Sequence, residues 1–164
     1  MPSSAMLIVK ILFLLLLANG APVIAKRLLG SRLACPLDGG KKFIDGRAFF
    51  GSSKTIRGII SSVLVTSIGA LLIGYSLQTG ALFSAASLSG DLVSSFIKRR
   101  LNLPPSSRAP GLDQLPEAIL PLLICWQALE LDIQTAIAVA VIFFCSEIVL
   151  SRLLFRLHIR DHPY

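Results

Sequence analysis

The stretch that decides the fold is residues 58–90, which read GIISSVLVTSIGALLIGYSLQTGALFSAASLSG without one charged side chain. A helix that crosses a bilayer needs about 20 mostly apolar residues, so 33 uncharged residues are too many for one crossing. Gln78-Thr79-Gly80 offers a place for a break between two helices. The sequence therefore predicts two membrane spans, at about 58–77 and 80–98.

Three further segments carry no charge, residues 11–25, 118–129 and 133–146. They extend the prediction to five spans, with the others at about 7–25, 115–131 and 134–154. Pro116 is compatible with a first helical turn, because its missing N–H has no partner to lose there. The predicted fold class is all-α: one integral membrane domain, residues 1–164, formed by a polytopic bundle of about five transmembrane helices.

The third span carries small residues four positions apart, namely Ala81, Ala85 and Ser89, and also Ala86 and Gly90. Small side chains at this spacing let helix backbones approach closely within a bilayer. We therefore expect the third helix to lie at the centre of the bundle.

The chain is basic as well as apolar, with 54% apolar and 15% charged residues and a net charge of +7. Such hydrophobicity excludes a disordered tail. A nucleic-acid binder would spread its positive charge over a soluble surface, so we expect no nucleic-acid partner. An integral protein in contact with membrane lipids accounts for both properties.

The basic residues predict the orientation of the bundle. With the N-terminus outside and the C-terminus in the cytoplasm, 15 of the 16 Lys and Arg residues lie in the cytoplasmic loops 26–57 and 99–114, in the tail, or at the span ends that border them, and Lys10 is the exception. A cleaved signal peptide at the first span would instead translocate the eight basic residues of 26–57. We therefore expect a multi-pass protein of the cell (inner) membrane.

The first cytoplasmic loop is more than a basic linker. Residues 36–58 interleave Asp38, Asp45 and several glycines with Lys, Arg and Phe residues. Attachment to anionic lipid is the simpler alternative, but it explains only the cations. Glycines permit tight turns and a close approach to a ligand, which favours a functional loop.

Polar residues also converge at the end of the third span. Asp91, Ser95 and Lys98 share one helical face, and Arg99 flanks it. An ionisable residue at this depth in a membrane is a functional candidate, although Asp91 and Lys98 could form a purely structural pair. Arg100 points the other way and is expected to reach lipid phosphates.

Asp113 precedes the fourth span at the same membrane face as Asp91. Mg²⁺ typically takes one or two carboxylates together with waters and substrate phosphates, so these two carboxylates form a candidate magnesium site. Asp113 could instead cap the fourth helix. Glu147 could line the same cavity or pair with a loop cation.

No pair of nucleophile and base is evident in the sequence. A reaction between phosphates needs none, because a phosphate monoester is already anionic and nucleophilic near neutral pH. It needs charge neutralisation and in-line placement, which Mg²⁺ and the cations can supply.

Three blocks of residues resemble the CDP-archaeol synthase family, which is related to the CDP-diacylglycerol synthases. They are Pro36-Leu37-Asp38 with Asp45-Gly46-Arg47 and Phe50-Gly51-x-x-Lys54-Thr55-x-Arg57-Gly58, then Gly90-Asp91-x-x-x-Ser95-Phe96-x-Lys98-Arg99-Arg100, then Gly111-Leu112-Asp113-Gln114. The resemblance implies an enzyme that transfers CMP from CTP to a lipid phosphate with Mg²⁺, giving a CDP-lipid and pyrophosphate. The lipid could be an archaeal diether glycerol phosphate or phosphatidic acid.

The resemblance also implies roles for individual residues. Asp91 and Asp113 would hold the metal, and with Lys98 they form the expected catalytic set. The residues expected to bind CTP are Asp38, Asp45, Arg47, Lys54, Thr55, Arg57, Ser95 and Arg99. A small membrane transporter or a non-catalytic accessory subunit is the alternative, and the oligomeric state stays open.

Overall fold

A computed structural model describes residues 3–105, 107, 109 and 111–156, with side chains through residue 149. These ranges contain five α-helices and no named strand. The helices are α1 (Ser4–Leu29), α2 (Ile56–Leu72), α3 (Leu77–Arg100), α4 (Gln114–Ile124) and α5 (Ile133–Arg156). The prediction of an all-α bundle of about five helices is confirmed.

The break between α2 and α3 lies earlier than the sequence predicts. Gly74 adopts a φ of +91°, a conformation that glycine tolerates well, and the chain turns there after α2 ends at Leu72. The Ser76 hydroxyl then accepts a hydrogen bond from the Thr79 N–H (3.0 Å) and caps α3. Gln78-Thr79-Gly80 therefore lies inside α3 rather than between the helices.

Helix α4 is shorter than the predicted span 115–131. It ends at Ile124, and the chain continues in turns to Glu130, whose φ is +52°. Leu129 and Leu131 are buried and keep these turns against the core. This part of the chain thus contributes packing rather than a long helix.

Helix α3 is the central element and packs against α1, α2 and α4. Two glycines permit the closest approaches. A Cβ at Gly80 would lie 2.6 Å from Ser67 Cα on α2, and a Cβ at Gly90 would overlap the backbone of Pro116 and Glu117 on α4. The expected central position of this helix follows from these contacts.

A buried polar contact joins the first three helices. Ser62 on α2 donates to the backbone carbonyl of Ala18 on α1 (2.7 Å) and lies 2.8 Å from the hydroxyl of Ser84 on α3. The carbonyl of Ala18 is free to accept because Pro22, four residues later, has no N–H. The Ser62 hydroxyl therefore satisfies a carbonyl that the proline leaves unpaired.

Two of the helices, α1 and α3, are long and apolar enough to cross a membrane. The other apolar helices are shorter over their described lengths. Large apolar side chains such as Leu72, Ile137 and Val149 are more than half exposed. An outer surface of this kind is typical of helices that face lipid.

The Gly90 contact predicts a stability effect. Gly90→Ala should lower the free energy of unfolding by about 1–3 kcal/mol, because the added methyl group forces α3 and α4 apart. Thermal unfolding in detergent measures this change.

Gly20→Ala is the matched control, since nothing lies within 4 Å of a Cβ at that helical position. It should leave stability unchanged or raise it by up to about 1 kcal/mol. Equal stability of the two variants would contradict the close approach of α3 and α4.

Candidate active site

A cavity of about 530 Å³ opens where α1 ends, α2 begins, α3 ends and α4 begins. Its volume lies within the range of small-molecule sites. Its apolar wall includes Ala18, Pro22, Val23, Ile59, Leu88 and Leu92, and its ionisable lining consists of Lys26, Lys54, Arg57, Asp91, Lys98, Arg99, Asp113, Glu117 and Glu147. The lining therefore combines apolar side chains with a dense set of charged ones.

The loop between α1 and α2 folds back to place Lys54 in this cavity. The Leu37 N–H donates to the Lys54 carbonyl (2.7 Å), and the Ile56 N–H donates to the Cys35 carbonyl (3.0 Å). A second short pairing, between Lys42 and Ala48, forms a tight hairpin within the loop. The loop thus has a defined structure although it contains no helix or named strand.

Asp38 organises this loop from within. Its carboxylate accepts hydrogen bonds from the backbone N–H groups of Gly40, Phe50 and Gly51, each at 3.0 Å. Partial burial raises the pKa of Asp38, but the hydrogen bonds together lower it by a larger amount. The pKa of Asp38 therefore lies below its ordinary value. Asp38 lies outside the lining of the main cavity.

Arg100 fastens the same loop to the end of α3. Its guanidinium carbon lies 4.8 Å from the ring centre of Phe43 and 4.7 Å from that of Phe96. It also pairs with Asp45 (3.0 Å) and donates to the Ala48 carbonyl (2.6 Å). The expectation that Arg100 reaches toward lipid phosphates is wrong, because its guanidinium group is occupied by the loop.

Arg47 strengthens the same attachment. Its guanidinium group donates to the backbone carbonyls of Arg99 and Arg100, at the C-terminal end of α3. Asp45 also accepts a hydrogen bond from the Arg47 N–H (3.1 Å). Asp45 and Arg47, like Asp38, therefore hold the loop in place and do not line the cavity.

Asp91 forms its ion pair with a residue that is distant in sequence. Both carboxylate oxygens contact the Lys54 ammonium group, and the side chain of Glu117 lies beside the same carboxylate. The alternative that Asp91 pairs structurally with Lys98 is therefore not what the structure shows.

Lys98 instead pairs with Asp113. The ammonium nitrogen lies 2.6 Å from the Asp113 carboxylate and donates to the Ser107 carbonyl at 3.0 Å. The second Asp113 oxygen accepts from the Ala109 N–H (2.9 Å). Asp113 makes no side-chain cap at α4, so the capping alternative is excluded.

Two buried arginines retain unused donors in the cavity lining. Arg99 is 5% exposed and donates to the Pro104 carbonyl (2.8 Å), while its Nε and Nη1 atoms have no partner. Arg57 donates to the carbonyls of Gly30 and Arg32 at the end of α1, and its Nε has no partner. Unpaired buried guanidinium donors are unfavourable by themselves and suit an anionic ligand.

Two hydroxyl residues complete the predicted set. Ser95 is buried and lines the cavity one turn after Asp91 on α3. Thr55 also lines it, and its hydroxyl accepts from the Gly58 N–H (3.2 Å), so it caps α2 as well. The structure therefore brings together Lys54, Thr55, Arg57, Asp91, Ser95, Lys98, Arg99 and Asp113.

The carboxylates of the cavity fit a magnesium ion by the chemistry of their donor atoms. Among the described residues, no group of three or more His, Cys, Asp or Glu is arranged to hold a metal. Mg²⁺ does not need such a group, because it keeps waters and takes one or two carboxylates with substrate phosphates. Asp91 and Asp113, with Glu117 beside Asp91, provide oxygen ligands of that kind.

Sequence reasoning missed several residues of the lining, among them Asn19, Lys26, Gln114 and Glu117. Helical spacing contained a signal for Glu117, which lies four residues after Asp113 on the same face. Of the two roles considered for Glu147, lining the cavity or pairing with a loop cation, the structure shows the first.

Comparison with known proteins identifies one family. The family model described as CarS-like CDP-archaeol synthase matches residues 5–164. A CDP-archaeol synthase from Pyrobaculum calidifontis is 36% identical over 165 residues, covering 93% of this chain and 96% of that protein. Another, from Thermococcus onnurineus, is 41% identical over 126 residues, covering 70% of this chain and 71% of that protein. These matches confirm the resemblance seen in the three sequence blocks.

A solved structure supports the fold. It is described as an intramembrane enzyme for archaeal membrane lipids biosynthesis and matches with a TM-score of 0.68 at 24% identity. The match covers 84% of this chain and 90% of that chain. The fold is therefore shared, over most of the chain, with that solved structure.

The Asp38 contacts predict a pH-dependent contribution to stability. Asp38→Asn should lower the melting temperature at neutral pH, because one amide oxygen cannot replace a carboxylate that accepts three N–H groups. The pKa of Asp38 is lowered in the folded protein, so this advantage is present above the ordinary Asp pKa of about 4 and disappears as pH falls through the lowered pKa. A difference in melting temperature that grows on acidification would contradict this role.

The Arg100 contacts predict protection of the loop from proteolysis. Arg100→Leu should increase trypsin cleavage after Lys41 or Lys42 by on the order of tenfold, because charged hydrogen bonds of about 1.5–3 kcal/mol are lost. Arg32→Leu removes an exposed cation from the same loop and is the control. Equal cleavage of both variants would show that Arg100 does not fasten the loop.

Proposed function

Because the chain belongs to the CDP-archaeol synthase family of CTP-dependent nucleotidyltransferases, we propose that it transfers CMP from CTP to an archaeal-type diether glycerol phosphate. The products are a CDP-lipid and pyrophosphate. Phosphatidic acid presents the same phosphate group and is the alternative acceptor.

One observation carries this proposal: cations, carboxylates and apolar side chains from α1, α2 and α3 line one cavity. A triphosphate requires the cations, and a lipid requires the apolar wall between α1, α2 and α3. Few other substrates combine these requirements. The cavity therefore suits a reaction that joins a water-soluble nucleotide to a lipid.

The reaction needs no nucleophilic side chain. An oxygen of the lipid phosphate attacks the α-phosphorus of CTP, a new P–O bond forms, and the bond from the α-phosphorus to the α–β bridging oxygen breaks. The electron pair leaves with pyrophosphate. The task of the protein is to neutralise repulsion between the two phosphate groups and to align them.

The cations have separable roles in this proposal. Arg99 binds the triphosphate through its unpaired Nε and Nη1 atoms. Lys54 and Lys98 each neutralise a carboxylate in the free protein and contact phosphate when CTP enters. Ser95, Thr55 and Arg57 shape the wall beside them. Asp38, Asp45 and Arg47 support the nucleotide side indirectly by fixing the loop.

Asp91 and Asp113 are the residues that would hold Mg²⁺, with Glu117 adjacent to Asp91. When bound, the ion supplies neutralisation of charge on the phosphates. Before substrate binds, the Asp91 carboxylate holds Lys54 in position and the Asp113 carboxylate holds Lys98.

We place the protein in the cell membrane as a multi-pass protein with this cavity facing the cytoplasm. The distribution of basic residues supports that orientation, because 26–57 and the end of α3 border the cavity. In this orientation CTP enters the cavity from the cytoplasm, and the lipid phosphate enters from the bilayer.

The direct test is pyrophosphate release by the purified protein with CTP and Mg²⁺. The acceptors are an unsaturated diether glycerol phosphate, phosphatidic acid and no lipid. We expect release with the diether lipid phosphate and none without lipid. Absence of release with every lipid phosphate would contradict the proposed function.

Carboxamide variants test the proposed metal-holding residues. Asp91→Asn and Asp113→Asn should each reduce kcat by at least about 100-fold, since charge stabilisation of this kind is worth several kcal/mol. Asp132→Asn is the matched control, because Asp132 accepts from the Thr135 N–H (2.8 Å) at the start of α5, away from the cavity lining. Full activity of both site variants would refute the assignment.

A further inference from the structure

Asn19 on α1 is a polar residue of the cavity that the proposed chemistry leaves without a role. Its side-chain nitrogen is buried and has no hydrogen-bond partner. The residue lines the cavity together with Ala18, Pro22 and Val23, which provide an apolar wall. A buried amide donor without a partner is unfavourable, which points to a ligand atom that accepts from it.

The depth of Asn19 indicates which substrate supplies that atom. Asn19 lies seven residues, or about 10 Å of helix, before Lys26, which also lines the cavity. The unpaired donors of Arg57 and Arg99 lie at the end where α2 begins and α3 ends. A lipid phosphate that directs its phosphate toward those cations extends its glycerol and chains toward the apolar wall, where Asn19 lies.

The backbone around Asn19 is held in a fixed position. Pro22 leaves the carbonyl of Ala18 without its helical partner, and Ser62 occupies that carbonyl at 2.7 Å. A Cβ at Gly58 would lie 3.4 Å from the Pro22 side chain, so α1 and the start of α2 are in close contact here. Asn19 is therefore presented from a rigid element, as a specificity residue requires.

From this arrangement we infer that the Asn19 side-chain amide donates a hydrogen bond to a glycerol oxygen of the lipid phosphate. The accepting atom is an ether oxygen in a diether lipid and an ester oxygen in a diacyl lipid. Asn19 is a specificity-determining residue for the lipid substrate and takes no part in phosphate transfer. The inference rests on the proposed function.

The test compares Asn19→Leu with the unaltered protein in steady-state kinetics. We expect KM for the diether glycerol phosphate to rise about three- to tenfold, the worth of one neutral hydrogen bond, with KM for CTP unchanged. The melting temperature of Asn19→Leu should be unchanged or higher, because leucine removes a buried amide that has no hydrogen-bond partner. Gln134→Leu makes the same type of change at an exposed position of α5 and should alter neither KM.

A competitive inhibitor without glycerol separates a lost hydrogen bond from a reshaped cavity. Phytanyl phosphate has the phosphate and the chain but no glycerol oxygen, so its Ki should be equal for Asn19→Leu and the unaltered protein. An unchanged KM for the lipid phosphate, a raised KM for CTP, or an equal rise in this Ki would each overturn the inference. Activity of the unaltered protein in the same assay tests the proposed function independently.

Discussion

The structure depends on one partly buried interaction, the ion pair between Lys54 and Asp91. Lys54 belongs to the loop before α2, and Asp91 lies in α3, so the pair closes 37 residues of chain onto the central helix. Charges at such a position are tolerated only when they are paired, because removing either partner leaves the other without compensation. The same property makes the pair useful, since a substrate phosphate can replace Asp91 as the partner of Lys54.

Close helix packing places the remaining charges around that pair. Gly90 lets the start of α4 touch α3, which brings Glu117 beside Asp91 and sets Asp113 against Lys98. The Arg100 contacts hold the loop from the other side. Substrate binding can therefore use groups whose positions are already fixed, which reduces the entropy lost on binding.

Much of this arrangement could be predicted from the sequence. The parts that could not be predicted depend on contacts between residues that are distant in sequence. Helical spacing placed Asp91, Ser95 and Lys98 on one face correctly, because that relation is local. The partners of Asp91 and Lys98 could not be predicted in this way, since they depend on how a loop and a neighbouring helix return to α3. The predicted position of the α2–α3 break was wrong. The turn at Gly74 and the cap at Ser76 determine where α3 begins, and the polar triplet 78–80 does not interrupt the helix.

Because Lys54 and Asp91 pair directly in the free protein, we expect them to act as one unit in binding the triphosphate, and a double-mutant cycle tests this coupling. CTP affinity in the presence of Mg²⁺ is measured by calorimetry for Lys54→Met, Asp91→Asn and the double variant. We predict that the double variant binds about as weakly as the weaker single variant, with a coupling energy above about 1 kcal/mol. Losses that simply add would contradict the claim.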